Sequence, residues 1–224
     1  MHAFQSIVLV LVIAGIIVFV FSFLSMTLSF NKTGSGKYNF LSYFPFELNQ
    51  FKRNSKKSWI YETLIIFSSL LLGFSLIFYL LYIHFDFRDI YQLYILMAVM
   101  FISLLSVNLL FFIKLSAYKL HLIFAIIFAF STLLSVVLEL LLLGRNDVLG
   151  LNMSTPLINI IISVVAIIFM IVLICNPSYK SWAKLVKVDA QTYNRPKYNY
   201  LAILEWGTFI VHLVSYIPLI VSFF

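Results

Sequence analysis

Titratable side chains lie within several long apolar stretches of the sequence, and four of them are candidates for chemistry. Glu139 stands inside STLLSVVLELLLLG (131–144), and His121 precedes it in the same stretch. Glu205 and His212 lie in the last apolar stretch of the chain. Such groups are costly in hydrocarbon, and where they occur they commonly line a proton or ion pathway. A carboxyl and an imidazole can also act as general acid and base.

The residues around Glu139 are spaced for a polar stripe on one helix. At 100° per residue, Ser135, Thr132 and His121 fall on the same face as Glu139. We expect this stripe to face other helices, since exposing it to lipid would be costly. Glu139 can be a transport residue. The alternative is a structural glutamate that bonds a neighbouring helix, stays protonated or reaches the nearby helix end.

The last apolar stretch has a second polar face. Glu205, Thr208, His212 and Ser215 fall within one broad side of a helix, and His212 lies midway along it. A histidine at that depth can relay protons or contact a substrate. The alternative is a neutral imidazole that makes one hydrogen bond between helices.

The amino-acid composition indicates the environment in which these titratable side chains lie. Of 224 residues, 63% are hydrophobic and only 10% are charged, whereas soluble domains carry about 25% charged residues. The sequence therefore predicts an integral membrane protein with one polytopic domain over residues 1–224. The net charge of +7 lies mostly in loops, where membrane topology accounts for it, so we expect no nucleic-acid partner.

Six apolar stretches are long enough to cross a hydrocarbon core of about 30 Å. Their hydrophobicity is continuous and does not alternate, which favours helices over barrel strands. We therefore predict an all-α membrane protein, a bundle of six transmembrane helices. The predicted spans are Ser6–Phe30, Trp59–Phe85, Ile90–Ile113, Ala117–Leu143, Pro156–Cys175 and Leu201–Phe224.

The distribution of lysine and arginine predicts the orientation. Thirteen of the 15 lie in or beside the first, third and fifth loops, and the second and fourth loops hold only Arg88 and Arg145. By the positive-inside rule the basic loops are cytoplasmic, which places both the N-terminus and the C-terminus outside. We expect a bacterial cell membrane, with an organellar membrane as the alternative.

The first of the two long cytoplasmic loops predicts a short amphipathic helix. Pro45 suits a first helical turn, and Phe44, Leu48 and Phe51 then share one face. Lys52 and Arg53 follow at the helix end. Such a helix is typical of one lying in the headgroup region of a membrane.

The fifth loop is basic and carries aromatic residues close to the preceding span. Lys180, Trp182, Lys184 and Lys187 suit the anionic lipid headgroups of the cytoplasmic leaflet. The alternative partner for both long loops is a soluble protein in a membrane complex.

Motifs of known membrane enzymes are absent from the sequence. It contains no phosphate-binding loop, no HExxH, no GxSxG and no paired cysteine ligands. We therefore expect no catalytic residues, cofactor or metal site. The favoured function is a non-catalytic transporter component or membrane-complex subunit with a polar interior. The alternatives are an embedded enzyme acting on lipid or lipid-linked substrates and a purely structural or assembly factor.

Overall fold

The computed structural model describes residues 2–33, 37–45, 47–50, 58–86, 91–113, 117–143, 154–177 and 198–217. Apart from the turns of residues 37–45 and a few residues at helix ends, these parts of the chain are helical, and they contain no strand. The helices are α1 (His2–Thr33), α2 (Glu47–Gln50), α3 (Ser58–Asp86), α4 (Tyr91–Phe112), α5 (Tyr118–Leu143), α6 (Ser154–Ile174) and α7 (Tyr200–Val214).

Four of the helices are long and apolar enough to cross a membrane. Their apolar spans are Ser6–Leu28, Leu93–Phe112, Lys119–Leu141 and Leu157–Ile174. Without water, a backbone must satisfy its own hydrogen bonds, which a helix does within one segment. The four spans indicate an integral membrane protein. The shorter apolar segments Thr63–Ser75 and Tyr200–Val214 belong to α3 and α7, so the six-span count stays a prediction, as does the orientation.

Helix α5 occupies a central place in the bundle. It packs against α4, α6 and α7, while α1 packs against α3, which in turn contacts α4. Apolar side chains on the outer faces are exposed, as expected for surfaces in contact with lipid tails. The core is aromatic, and Phe128 and Phe209 pack edge to face with ring centroids 5.2 Å apart.

Glycine allows α6 and α7 to approach closely. A Cβ atom at Gly207 would overlap the side chain of Leu173 and lie 3.3 Å from Cε1 of Phe169. Small residues at such contacts let transmembrane helices pack without a gap. The contact also shows the relative direction of the two helices, because Gly207 is near the start of α7 and Leu173 is near the end of α6. The two helices are therefore antiparallel.

The segment that leads into α2, together with α2 itself, does not lie in the headgroup region as we expected. Phe44 and Leu48 are buried at 1% and 0% exposure, in the same apolar core as residues of α1, α5 and α7. The backbone N–H of Phe44 donates to Oε2 of Glu47 (2.8 Å), a capping-box arrangement. Contact with the bundle buries this apolar face in protein, which is why it does not lie on lipid. Phe51, Lys52 and Arg53 fall outside the described residues.

Candidate functional site

The first site is a buried pair between α5 and α7. Nε2 of His121 lies 2.7 Å from Oε1 of Glu205, and the side chains are 2% and 1% exposed. The pair can exist as imidazolium with carboxylate or as imidazole with carboxylic acid. The two forms differ only in the position of one proton on the shared hydrogen bond. Chemically, the pair can therefore hold and pass a proton.

Two helix beginnings bring this pair together. His121 is in the first turn of α5 and Glu205 is in the second turn of α7. Because the two residues touch and both lie near the first turn of their helix, α5 and α7 run in the same direction. The sequence analysis named both residues but did not pair them, because the periodicity of one helix does not give the rotation of a neighbouring helix about its own axis.

The segment of residues 37–45 covers the bundle end that holds the pair. The ring of Phe44 lies edge-on to that of His121, with centroids 5.5 Å apart. The carbonyl of Tyr43 accepts the indole N–H of Trp206 (3.0 Å), and that of Leu41 accepts the backbone N–H of Asn199 (2.7 Å). We call residues 37–45 the inner cover.

A third carboxyl group lies close to the pair. Glu47, in α2, is only 3% exposed and is near enough to Glu205 for the two groups to interact electrostatically. Glu47 was not among the predicted site residues. Its approach to the interior depends on the folding of the inner cover, which no local pattern reveals.

The second site is a hydrogen-bonded triad in the middle of the bundle. Oγ of Ser103 lies 2.9 Å from Oγ1 of Thr132 and 3.2 Å from Nδ1 of His212. The three side chains come from α4, α5 and α7 and are 0 to 2% exposed. The hydroxyl of Ser215 donates to the carbonyl of His212 (2.8 Å). Ser103 was not among the predicted site residues, because serine is common in helix contacts and its type gave no signal.

The third site is Glu139 in the last turns of α5. Its side chain is 4% exposed, and neither carboxyl oxygen has a hydrogen-bond partner among the described residues. Tyr216 is near enough to interact with it electrostatically. The phenol oxygen of Tyr216 also lacks a hydrogen-bond partner within the described ranges. One turn deeper, the hydroxyl of Ser135 donates to the carbonyl of Thr132 (2.8 Å).

These three sites are distributed along the length of the bundle. From His121 to Glu139, α5 rises by about 27 Å, and from Glu205 to His212, α7 rises by about 10 Å. A hydrocarbon core is about 30 Å thick, so titratable groups lie near both ends of the bundle and between them. The structure buries all six residues predicted for the polar interior: Glu139, His212, Glu205, His121, Ser135 and Thr132.

The predicted docking residues cannot be placed in the same way. Lys52, Arg53, Lys180, Trp182, Lys184 and Lys187 lie outside the described residues. Their contact with anionic lipid or with a protein partner stays a prediction.

Three surface grooves are lined almost entirely by apolar side chains. They lie between α3 and α4, between α4 and α5, and between α1 and α7. None of the three includes a buried carboxyl or imidazole group. Among the described residues, no three His, Cys, Asp or Glu side chains are grouped to hold a metal ion.

No protein-family model matches the chain, and comparisons with curated proteins and with solved structures find no match either. We therefore infer function from the chain's own residues.

Proposed function

We propose that the protein is a component of a membrane transport system in which buried carboxyl and imidazole groups carry protons. The observation that supports this most strongly is the pair of His121 and Glu205, 2.7 Å apart and almost fully buried. Ionisable groups within membrane helices typically mark ion pathways and proton relays. A pair that shares one proton can accept a second proton or release the one it holds, and can therefore take part in such a relay.

Helix packing alone accounts poorly for these residues. Hydrogen bonds between membrane helices stabilise them by about 0.6 kcal/mol on average. A buried polar group that is left without a hydrogen-bond partner costs about 1–3 kcal/mol. Glu139 makes no hydrogen bond within the described residues, so its burial has no compensating contact there. A role in transport supplies a reason for retaining it.

The proposed route runs from the His121–Glu205 pair to His212 and then to Glu139. Along the bundle, about 10 Å separates the pair from His212 and about 16 Å separates His212 from Glu139, so proton transfer between them requires water or rotating hydroxyl groups. Ser103 contacts His212, and Thr132 and Ser135 lie between the levels of His212 and Glu139. The inner cover closes the end nearest Glu205, so passage requires that this segment move, as one step of alternating access.

The same proposal includes the six-span topology. Loops one, three and five would face the cytoplasm of the cell, and the two long basic loops would lie against anionic headgroups. A protein partner at those loops would make the chain a subunit of a larger transport complex.

Proton movement can be tested without knowing the substrate. We would reconstitute the full chain in liposomes containing a pH-sensitive dye and impose a potassium diffusion potential. We expect faster internal acidification than in empty liposomes, and at least tenfold slower acidification for Glu205→Gln. Ser22→Ala is the matched control, because Ser22 is buried but donates only to the carbonyl of Val18 within α1. Equal rates for the wild type and Glu205→Gln would rule out the proposal.

One contact supports a second candidate, an embedded enzyme that acts on lipid-linked substrates. Ser103 and His212 are arranged as a nucleophile and its general base. Reaction would require α4 and α7 to separate, because Ser103 is fully buried. Labelling by a serine-reactive fluorophosphonate, lost in Ser103→Ala, is the expected result for an enzyme. Absence of labelling in lipid membranes would reject this candidate.

A further inference from the structure

One residue of the inner cover contacts both the His121–Glu205 pair and the carboxyl group beside it. The ring of Phe44 lies edge-on to that of His121, with centroids 5.5 Å apart. The backbone N–H of Phe44 donates to Oε2 of Glu47 (2.8 Å). Phe44 and Glu47 are 1% and 3% exposed. A change of charge at the pair therefore acts on direct neighbours of the cover.

Glu47 is the carboxyl group that would respond to such a change. It is near enough to Glu205 for the two groups to interact electrostatically, and two carboxylates repel each other. A bond from an N–H to an ionised carboxyl is about twice as strong as one to a neutral acceptor. The charge of Glu47 thus strengthens its hold on Phe44 and also makes that hold sensitive to the charge of Glu205.

The other charged or titratable groups described at this end of the bundle are less suited to that role. The ammonium groups of Lys37 and Lys119 are exposed, and water and salt screen exposed charges. The thiol of Cys175 is exposed as well. The remaining titratable groups described there are the phenols of Tyr38, Tyr43, Tyr198 and Tyr200.

Loss of the shared proton changes the net charge of the pair from zero to minus one. Glu205 is then a carboxylate facing the carboxylate of Glu47, in a poorly solvated interior where charges interact more strongly than in water. Opening of the cover would admit water and solvate both groups. Both effects favour an open cover above a pair that has lost its proton. By linkage, the closed cover holds the proton more tightly, so opening increases as the pH rises.

We propose that Glu47 couples the proton state of the His121–Glu205 pair to the inner cover, which stays closed over a protonated pair and opens when the proton is lost. Glu47 is a positioning residue, because it acts through the N–H of Phe44. The inference rests on the proposed function for its role in transport, where an open cover would let the pair take up a proton and a closed cover would retain it. The coupling itself can be measured without a gradient.

Two backbone amides report the state of the cover. The N–H of Asn199 donates to the carbonyl of Leu41 (2.7 Å), and this bond joins the cover to the residue before α7. Asn199 is only 1% exposed. The N–H of Phe44 reports the bond to Glu47. Each amide exchanges its hydrogen with solvent when its bond opens. Protection factors remove the pH dependence that exchange has in an unfolded chain.

The test is hydrogen exchange at these two amides, from pH 5 to pH 8, in the full chain in lipid nanodiscs. We expect the wild-type protection factors to fall at least fivefold as the pH rises. Glu205→Gln has no carboxylate to repel Glu47 and should remove this dependence. Glu47→Gln should also remove it, although a glutamine can still accept the N–H of Phe44. Ser75→Ala is the matched control and should behave as the wild type, because Ser75 is buried but donates to the carbonyl of Leu72 within α3.

Protection that does not change with pH in the wild type would overturn the coupling. A wild-type pH dependence in Glu47→Gln would also overturn it, because the cover would then respond without Glu47. If Glu205→Gln does not fold, Glu47→Gln carries the comparison alone. A pH-dependent cover in a protein without proton flux would support the coupling while removing the proposed function. Flux with a cover that ignores pH would do the reverse.

Discussion

The His121–Glu205 pair is sensitive to the loss of either partner. Deleting one member of a buried ion pair leaves the other without compensation and typically costs about 3–5 kcal/mol. We expect His121→Ala to lower the free energy of unfolding by about that amount, as measured by detergent-induced unfolding. Lys119→Ala, an exposed position in the same turn of α5, is the control and should change little. A loss below about 1 kcal/mol would contradict strong coupling of the pair.

Ser103 should matter less to stability than its two hydrogen bonds suggest. Ser103→Ala removes the contacts to Thr132 and His212. Since hydrogen bonds between membrane helices contribute about 0.6 kcal/mol on average and about 1.7 at most, we expect a loss of about 1–2 kcal/mol in the same unfolding measurement. A loss above about 4 kcal/mol would show that the triad, and not apolar packing, holds α4 against α7.

At this scale the sequence predicts which groups are buried but not how they pair. The 100° periodicity of α5 places His121, Thr132, Ser135 and Glu139 on one face, and all four are buried. The partners depend on the relative rotation of helices that are distant in sequence. His121 and Glu205 are separated by 84 positions, and no local pattern links them.

At the scale of elements, the contact between α6 and α7 depends on the absence of one side chain. Gly207→Ala would force a Cβ atom into the side chain of Leu173. Overpacking of this kind costs about 1–3 kcal/mol, and we expect that loss in the free energy of unfolding. Gly73→Ala is the control, because its Cβ would lie 3.3 Å from a terminal methyl group of Leu104, which can shift. Equal losses in the two variants would contradict the tight approach of α6 and α7.

The inner cover is held by a tyrosine that the sequence did not single out. The hydroxyl of Tyr38 donates to the carbonyl of Phe44 (2.7 Å), and its backbone N–H donates to Oδ1 of Asn31 (2.7 Å). Tyr38→Phe removes the bond to Phe44 and a longer bond from the same hydroxyl to the carbonyl of Tyr43 (3.2 Å), but keeps the backbone bond to Asn31. We expect the cover to open more often, and amide hydrogen exchange at residues 41–44 to increase several-fold. Unchanged exchange there would show that aromatic packing alone holds the cover.

Hydropathy predicts the long helices well because a segment that crosses a bilayer must be long, apolar and hydrogen-bonded within itself. The predicted span Trp59–Phe85 lies within α3 (Ser58–Asp86), and Ala117–Leu143 differs from α5 by one residue at its start. The prediction that Phe44 and Leu48 lie in the headgroup region was wrong, because an apolar face of this kind suits a lipid interface and a protein core equally. Only the position of the bundle end decides between them.

At the scale of the whole molecule, chemical labelling of the single cysteine tests the predicted orientation of the bundle in the membrane. Cys175 is exposed at the end of α6, on the side that the positive-inside rule assigns to the cytoplasm. We expect a membrane-impermeant maleimide to label it in inside-out vesicles but not in intact cells. Cys175→Ser is the negative control, since it removes the only thiol in the sequence. Labelling in intact cells with protection in vesicles would reverse the predicted orientation of the bundle.

The central claim is that His121 and Glu205 act as one proton-carrying unit within a transport component. The most direct test is a double-mutant cycle of proton flux in liposomes, using His121→Gln, Glu205→Gln and the two changes combined. If the residues form one unit, each single change removes most of the flux and the double change is no worse than either. Independent multiplicative losses, or wild-type flux in any of the three variants, would contradict the account.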